Sequence, residues 1–472
     1  MRRRVAVSLS VWLIFSPGSW AITRVLGEPD PAGAPPLHEY LTKSYQELFD
    51  LAPALNIGES EFERVGALLA KAEATCVGRF NQEAKHAAKQ LTDAEKRLRR
   101  DTGTLSPPER DARHCEIEDL RAQKEQMRML AKHAVPLAYR NREAKLRLLR
   151  EWPRDLAEIE RSIADGSSHS REHGDVADIG VREVGRGQEK DVEVGREAVR
   201  EMRQANVMPP PVDNEFIQRY VRALGERIAA RSDLRVPIQV EVLDSPEVNA
   251  FALPGGFLFV HLGLLERAED EAQLAGVLSH EIAHAAARHA DRMMHRAAWS
   301  SFLYQAAQIT TSVLTGGISS IGAYYAYQYG FTGLGMLMSL DLLGVSRDFE
   351  LEADQLGVQY AWNAGYDPSG FVRFFDKMAT TEGHVSGASW FRTHPAFYER
   401  MVKSQREIRY LPSNEDPIVT SPEFHRMKEE LVQVVKASRP SPKSTAGRCG
   451  APKKLAYDPA QPIELLCEGE SR

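Results

Sequence analysis

The residues with the plainest chemical meaning are His280-Glu281-Ile282-Ala283-His284, an H-E-x-x-H run. Two histidines four apart on a helix stand one turn apart on one face, so both imidazoles can turn to one metal ion. Glu281 then lies beside the ion rather than on it. There it can take a proton from a metal-held water and pass it to a leaving amine. About 0.03 such runs are expected by chance in a chain of this length and histidine content. Leu274, Val277, Leu278 and Ala285 give the stretch an apolar face that would bury it.

A catalytic zinc needs a third protein ligand and an open position. The run Ser346-Arg347-Asp348-Phe349-Glu350-Leu351-Glu352-Ala353-Asp354 offers one. Glu350 and Asp354 are four apart and share a helical face. Glu350 would complete a two-histidine, one-glutamate site for one zinc per chain. Asp354 would accept a hydrogen bond from a ligand histidine and fix its tautomer. Glu352 competes for the third ligand place, but it points about 200° around the helix from Glu350. Taken alone, the run is also an acidic helix start.

These residues need elements to hold them. Asp270 to about His295 reads as one long helix. Before it, Val236–Leu243, Asn249–Leu253 and Phe257–His261 read as strands, with a turn at Pro254-Gly255-Gly256. Asn249, Ala250 and Phe251 would form an edge strand beside the metal helix, able to hold an extended peptide by strand addition. Glu189–Met202 and Asn214–Ala230 read as helices. From 38 to 165 the chain is helical. Leu69, Ala72, Cys76, Phe80, Ala84, Ala87, Leu91, Ala94 and Leu98 recur at steps of three or four, the stripe of one long amphipathic helix. Gly103 turns it, Ser106-Pro107-Pro108-Glu109 caps the next helix, and Pro136 bends or ends that one. The pair reads as a helical hairpin packed on itself, or as an arm for a partner.

The chain has 472 residues, with 60 Lys and Arg against 66 Asp and Glu. A net charge of −6 gives no footprint for nucleic acid. The expected division is a signal peptide at 1–21, a linker at 22–37 and a helical domain at 38–165. A second linker at 166–187, a metallopeptidase domain at 188–435 and a Pro/Ser-rich tail at 436–472 follow. Arg2, Arg3 and Arg4, a short apolar run and Ser19-Trp20-Ala21 predict export. Four cysteines in an exported chain suggest disulfides. Cys449–Cys467 would close a short loop in the tail, and Cys76–Cys115 follows by default. Yet the residue opposite Cys76 in a simple hairpin lies near 130. Residues 297–340 lack charged side chains. They read as a helical hairpin over the site that touches a membrane surface at most.

Asn249-Ala-Phe-Ala-Leu-Pro-Gly-Gly256, His280-Glu-Ile-Ala-His284 and Ser346-Arg-x-x-Glu350-x-Glu-Ala-Asp354 together resemble one gluzincin family. It includes the CAAX prenyl protease, HtpX, mitochondrial Oma and periplasmic BepA, and the BepA-like branch is the most similar. The resemblance covers about residues 188–405, and no motif position departs from it. It implies zinc on His280, His284 and Glu350, Glu281 as base, and protein or peptide substrates in a bacterial periplasm. The implied fold is α+β, mostly α: a zincin-like domain with a small β-sheet, preceded by the helical hairpin domain. The Thr393-His394-Pro395 segment is similar to one that plugs the zinc in BepA-like members. His394 would then be a latent-state ligand; without the analogy it stabilises an oxyanion or caps a loop. The C-terminal helical repeats of that branch are not read in this sequence, so its partners are not carried over; the alternative reading is a mostly latent protease whose N-terminal helices hold clients, acting as a chaperone or scaffold.

Overall fold

The structure, a computed structural model, describes residues 37–296 apart from 102, 205 and 207, then 340–381 and 398–438. The fold is α+β and mostly α. Short helices α1 (Leu37–Tyr40) and α2 (Tyr45–Leu51) lead into the arm. Its first long helix is α3 (Glu59–Asp101), and the apolar stripe is what it buries: Leu69, Cys76, Phe80, Ala84, Ala87, Leu91 and Ala94. Helix α4 (Pro107–Met129) starts in a capping box, with Ser106 and Glu109 exchanging bonds across the first turn. A π-helical turn at Leu130–Ala134 re-aims the chain into α5 (Val135–Ala164).

The arm is docked on the second half of the molecule through one continuous apolar core. Trp152 of α5 is buried and donates to the Phe49 carbonyl at 3.0 Å. Beneath it, the Tyr45 amide donates to Asp376 Oδ2 at 3.0 Å, and Lys145 Nζ lies 3.6 Å from Asp376 Oδ1. The stretch 166–187, expected to be a linker, is packed down. Gly180 N and Arg182 Nε both donate to buried Asp233 at 2.7 Å, and Gln359 Nε2 donates to the Gly174 carbonyl at 3.0 Å.

Helices α6 (Gln188–Gln204) and α7 (Glu215–Ala229) precede the sheet of β1 (Gln239–Leu243), β2 (Ala250–Leu253) and β3 (Phe257–His261). The order is β1-β3-β2. The Pro-Gly-Gly turn makes β2 and β3 antiparallel, with Phe251 opposite Phe259. β1 joins β3 in parallel, Gln239 opposite Phe257. Helix α8 (Leu262–Arg267) leads to α9 (Glu271–Ala286), which is buried along almost its whole length. The expected single helix to His295 is broken: Ala287 caps α9, Arg288 is left-handed at φ 54°, and α10 (His289–Arg296) starts anew. Helices α11 (Leu340–Asn363), α12 (Ser369–Thr381), α13 (Tyr398–Tyr410) and α14 (Pro422–Ser438) complete the described chain.

Among the described residues no helix is long and apolar enough to cross a membrane. The stretch 297–339, His394, and Cys449 with Cys467 lie outside the described residues. Cys76 and Cys115 are both disulfide-bonded.

Candidate metal centre

Helix α9 begins at Asp270, whose carboxylate accepts from Gln273 N at 2.8 Å. It threads the middle of the domain, and two glycines let neighbours come close. A Cβ on Gly357 of α11 would stand 3.0 Å from both N and Cα of His280. A Cβ on Gly276 of α9 would stand 2.7 Å from the Phe371 amide of α12. Any side chain at these places would push a helix away. Backbone proximity is thus what brings Glu350 and Asp354 onto the histidine face.

His280, His284 and Glu350 form the candidate metal-holding group among the described residues, with ligand atoms all within 4.8 Å of one another. His280 Nε2 is 3.0 Å from His284 Nε2. Glu350 is 3.5 Å from His280 Nε2 and 3.3 Å from His284 Nε2. Tetrahedral zinc with bonds of roughly 2.0–2.1 Å holds its ligand atoms about 3.3 Å apart. The donor set therefore fits zinc in size as well as in kind.

Charge points the same way. Glu281, Glu350 and Asp354 are all buried, and among the described residues the buried cation beside them is Arg400 of α13. Arg400 grips Asp354 with two bonds of 2.6 Å and lies 2.9 Å from Glu350 Oε2. Its guanidinium also covers the Phe375 ring at 4.5 Å. Burial opposes its charge, but Asp354, Glu350 and Glu281 outweigh that and hold its pKa above the ordinary value. A divalent cation on Glu350 would add positive charge beside these buried carboxylates. Burial pulls His280 down, yet Asp354 and Glu350 raise it to about 9. The same groups act on Asp354: burial pushes it up, and Arg400 and His280 hold it below the usual carboxylate range.

Both imidazoles are oriented from behind. Asp354 Oδ1 is 2.9 Å from His280 Nδ1, a close charged contact lying off the ideal hydrogen-bond line. His284 Nδ1 is 2.8 Å from Nδ1 of His289, and His289 Nε2 is 3.2 Å from Glu352 Oε2. Arg292 donates to that same oxygen at 2.8 Å. Burial drives His289 down to about 3, so it is neutral. Burial pushes Glu352 up, but His289 and Arg292 bring it to about 2, so it is ionised. A neutral imidazole facing a carboxylate gives its one N–H to it. His289 Nδ1 is then bare and accepts from His284 Nδ1–H. That leaves the lone pair of His284 Nε2 aimed at Glu350 and His280. The tautomers follow from the partners.

The sequence reading missed His289, Glu352 in this role, and Arg400. Five residues after His284, a continuous helix would place His289 about 140° away. The break at Arg288 brings it back, and Arg288 is pinned there by two bonds to Asp191 at 2.6 and 2.7 Å. Phe349 stacks on the His289 ring at 4.6 Å. The usable signal was a third histidine soon after the motif. Of the expected peptide-binding residues, Ala250 and Phe251 lie on β2, the outer strand next to α9, and Asn249 directly precedes it. All three are buried, and the Asn249 side-chain amide has no hydrogen-bond partner among the described residues.

Residues 216–408 match peptidase family M48. The chain is 27% identical to the beta-barrel assembly-enhancing protease of Escherichia coli K12 over 224 residues, 47% of this chain and 44% of that one. It is 28% identical to the Yersinia pestis protein of the same name, over 41% of this chain and 39% of that one. It is 32% identical to the mitochondrial metalloendopeptidase OMA1 of Schizosaccharomyces pombe, over 44% of this chain and 56% of that one. The chain thus spans about half the length of the curated relatives it matches.

Proposed function

We propose that the protein is a zinc-dependent metalloendopeptidase acting on exported or misfolded proteins of a bacterial envelope, a reading supported by the match of residues 216–408 to peptidase family M48. The observation that carries this is the meeting of three donor atoms at zinc spacing with Glu281 next in the chain. His280, His284 and Glu350 would hold one zinc. Bound there, zinc supplies Lewis acidity toward water and the scissile carbonyl. Glu281 takes the proton of the attacking water and returns it to the amide nitrogen as the C–N bond breaks. Its burial keeps bulk water from competing for that proton. Asp354 and His289 keep the two imidazoles in the tautomers that ligation needs.

Asn249, Ala250 and Phe251, beside α9, are the proposed place for an extended peptide to be held by strand addition. Oxidised Cys76 and Cys115 support export to a compartment where disulfides persist. BepA and OMA1 are named as an assembly-enhancing protease and a metalloendopeptidase. The first of these names and the export signal expected at residues 1–21 support the envelope substrate class.

The test compares the purified protein with Glu281→Gln for bound zinc and casein cleavage. Both should bind one zinc, and only the parent should cut, with the variant's kcat at least 100-fold lower. Failure of both to bind zinc would sink the metal assignment. Equal cleavage by the two would sink Glu281 as base.

A further inference from the structure

Cys76 and Cys115 are both disulfide-bonded, and the register of the arm keeps them apart. Arg97 reaches Glu116 at 3.0 Å, and Arg121 reaches Glu95 at 2.8 Å. Leu91 and Ala94 pack on Ile117 in the same stretch. Cys115 therefore stands opposite the part of α3 around Arg97. Cys76 lies on that same unbroken helix, 21 residues before Arg97. At 1.5 Å per residue the gap along the axis is about 30 Å. Cys76 belongs instead to the core cluster that contains Phe80, Met127 and Leu130. A disulfide requires Cα atoms within about 7 Å. The two cysteines cannot be partners.

The chain has four cysteines in all. We infer that two disulfides fasten the C-terminal segment to the N-terminal arm, Cys76 and Cys115 each pairing with one of Cys449 and Cys467. This replaces the Cys449–Cys467 pairing expected from sequence. Reach is no obstacle. The 18 residues from Cys449 to Cys467 can extend to about 60 Å, twice the separation to be bridged. Each bond forms from two thiols with loss of two protons and two electrons. The acceptor is another protein's disulfide or oxidised glutathione, by thiol–disulfide exchange. The physical consequence differs sharply from that of a local loop. Cys449–Cys467 would restrain only the tail. Bonds from 76 and 115 to the far end of the chain close loops of more than 300 residues and restrain nearly all of it.

Trypsin places the four cysteines on four separate peptides, 72–79, 114–121, 449–453 and 455–472. The protein is treated with a thiol-blocking reagent, digested without reduction, and the linked peptides are identified by mass. Peptides 72–79 and 114–121 should each be joined to one of the other two. Finding 72–79 joined to 114–121, 449–453 joined to 455–472, or any of the four as a blocked thiol would overturn the inference. Cys76→Ser gives a second reading. It should free one thiol on 449–453 or 455–472 and leave 114–121 joined. A freed Cys115 thiol would overturn it too.

Discussion

The arm and the metal centre use the same residue types to opposite ends. On α3 and α4, arginines and acids pair along the surface. Arg121 with Glu118 is one such pair, 53% and 59% exposed. Such pairs are worth about 0–1 kcal/mol each, and water would replace any partner lost. Around α9 the same types are sealed in. Arg400 and Asp354 are each 1% exposed. There a lost partner leaves a bare charge in a poor solvent. Charge in the arm is therefore a solvated coat, whereas charge in the core is structure and chemistry at once. Composition does not separate the two cases; burial does.

Arg400→Ala should break this contrast most severely. It takes the guanidinium away from buried Asp354 and Glu350, and the expected loss is about 3–5 kcal/mol of stability. Urea unfolding at neutral pH measures it; a loss under about 1 kcal/mol would mean that the pair is more solvated than its burial indicates.

His289→Ala comes next. It removes the partner of His284 Nδ1 without touching a ligand, and zinc affinity should fall about 10–100-fold. Competition with a chelator gives the number, and unchanged affinity would rule out an orienting role.

A third effect depends on pH. Burial holds His261 down at about 4, against 6.5 for a free histidine. Between these values the unfolded chain binds the proton and the native state does not, so stability falls as pH drops from 6.5 toward 4. The slope for this one group is about 1.4 kcal/mol per pH unit. His261→Leu should flatten the unfolding free energy over that window relative to the parent, and parallel curves would contradict it.

The smallest effect belongs to the arm. Arg121→Ala loses its contacts to Glu118 and Glu95 and should leave the urea unfolding midpoint almost unmoved, the more so in high salt. A cost as large as that of Arg400→Ala would erase the distinction between the two regions.

Much of this was legible along the chain because it is local. The i, i+4 pairs His280/His284 and Glu350/Asp354 need only a helix to share a face. The stripe from Leu69 to Ala94 needs only the helical period, and it became the buried face of α3. Ser106 and Glu109 marked the start of α4 three residues apart. The break in α9 was harder to see. Neither Ala287 nor Arg288 is a usual helix stop, and the left-handed residue is held by Asp191, almost a hundred positions earlier.

The sequence by itself determined the candidate metal-holding group, its helical spacing and the kind of metal such donors suit, since these depend on neighbours in the chain. Only the tertiary structure decided that Arg400 would balance Glu350 and Asp354, that His289 would stand behind His284, and that Cys76 and Cys115 would lie too far apart to bond. Each of those depends on how helices cross, and crossings are set by close contacts such as Gly357 against His280. No local pattern encodes such a contact, because its two halves lie far apart in the chain and gain energy only once packed.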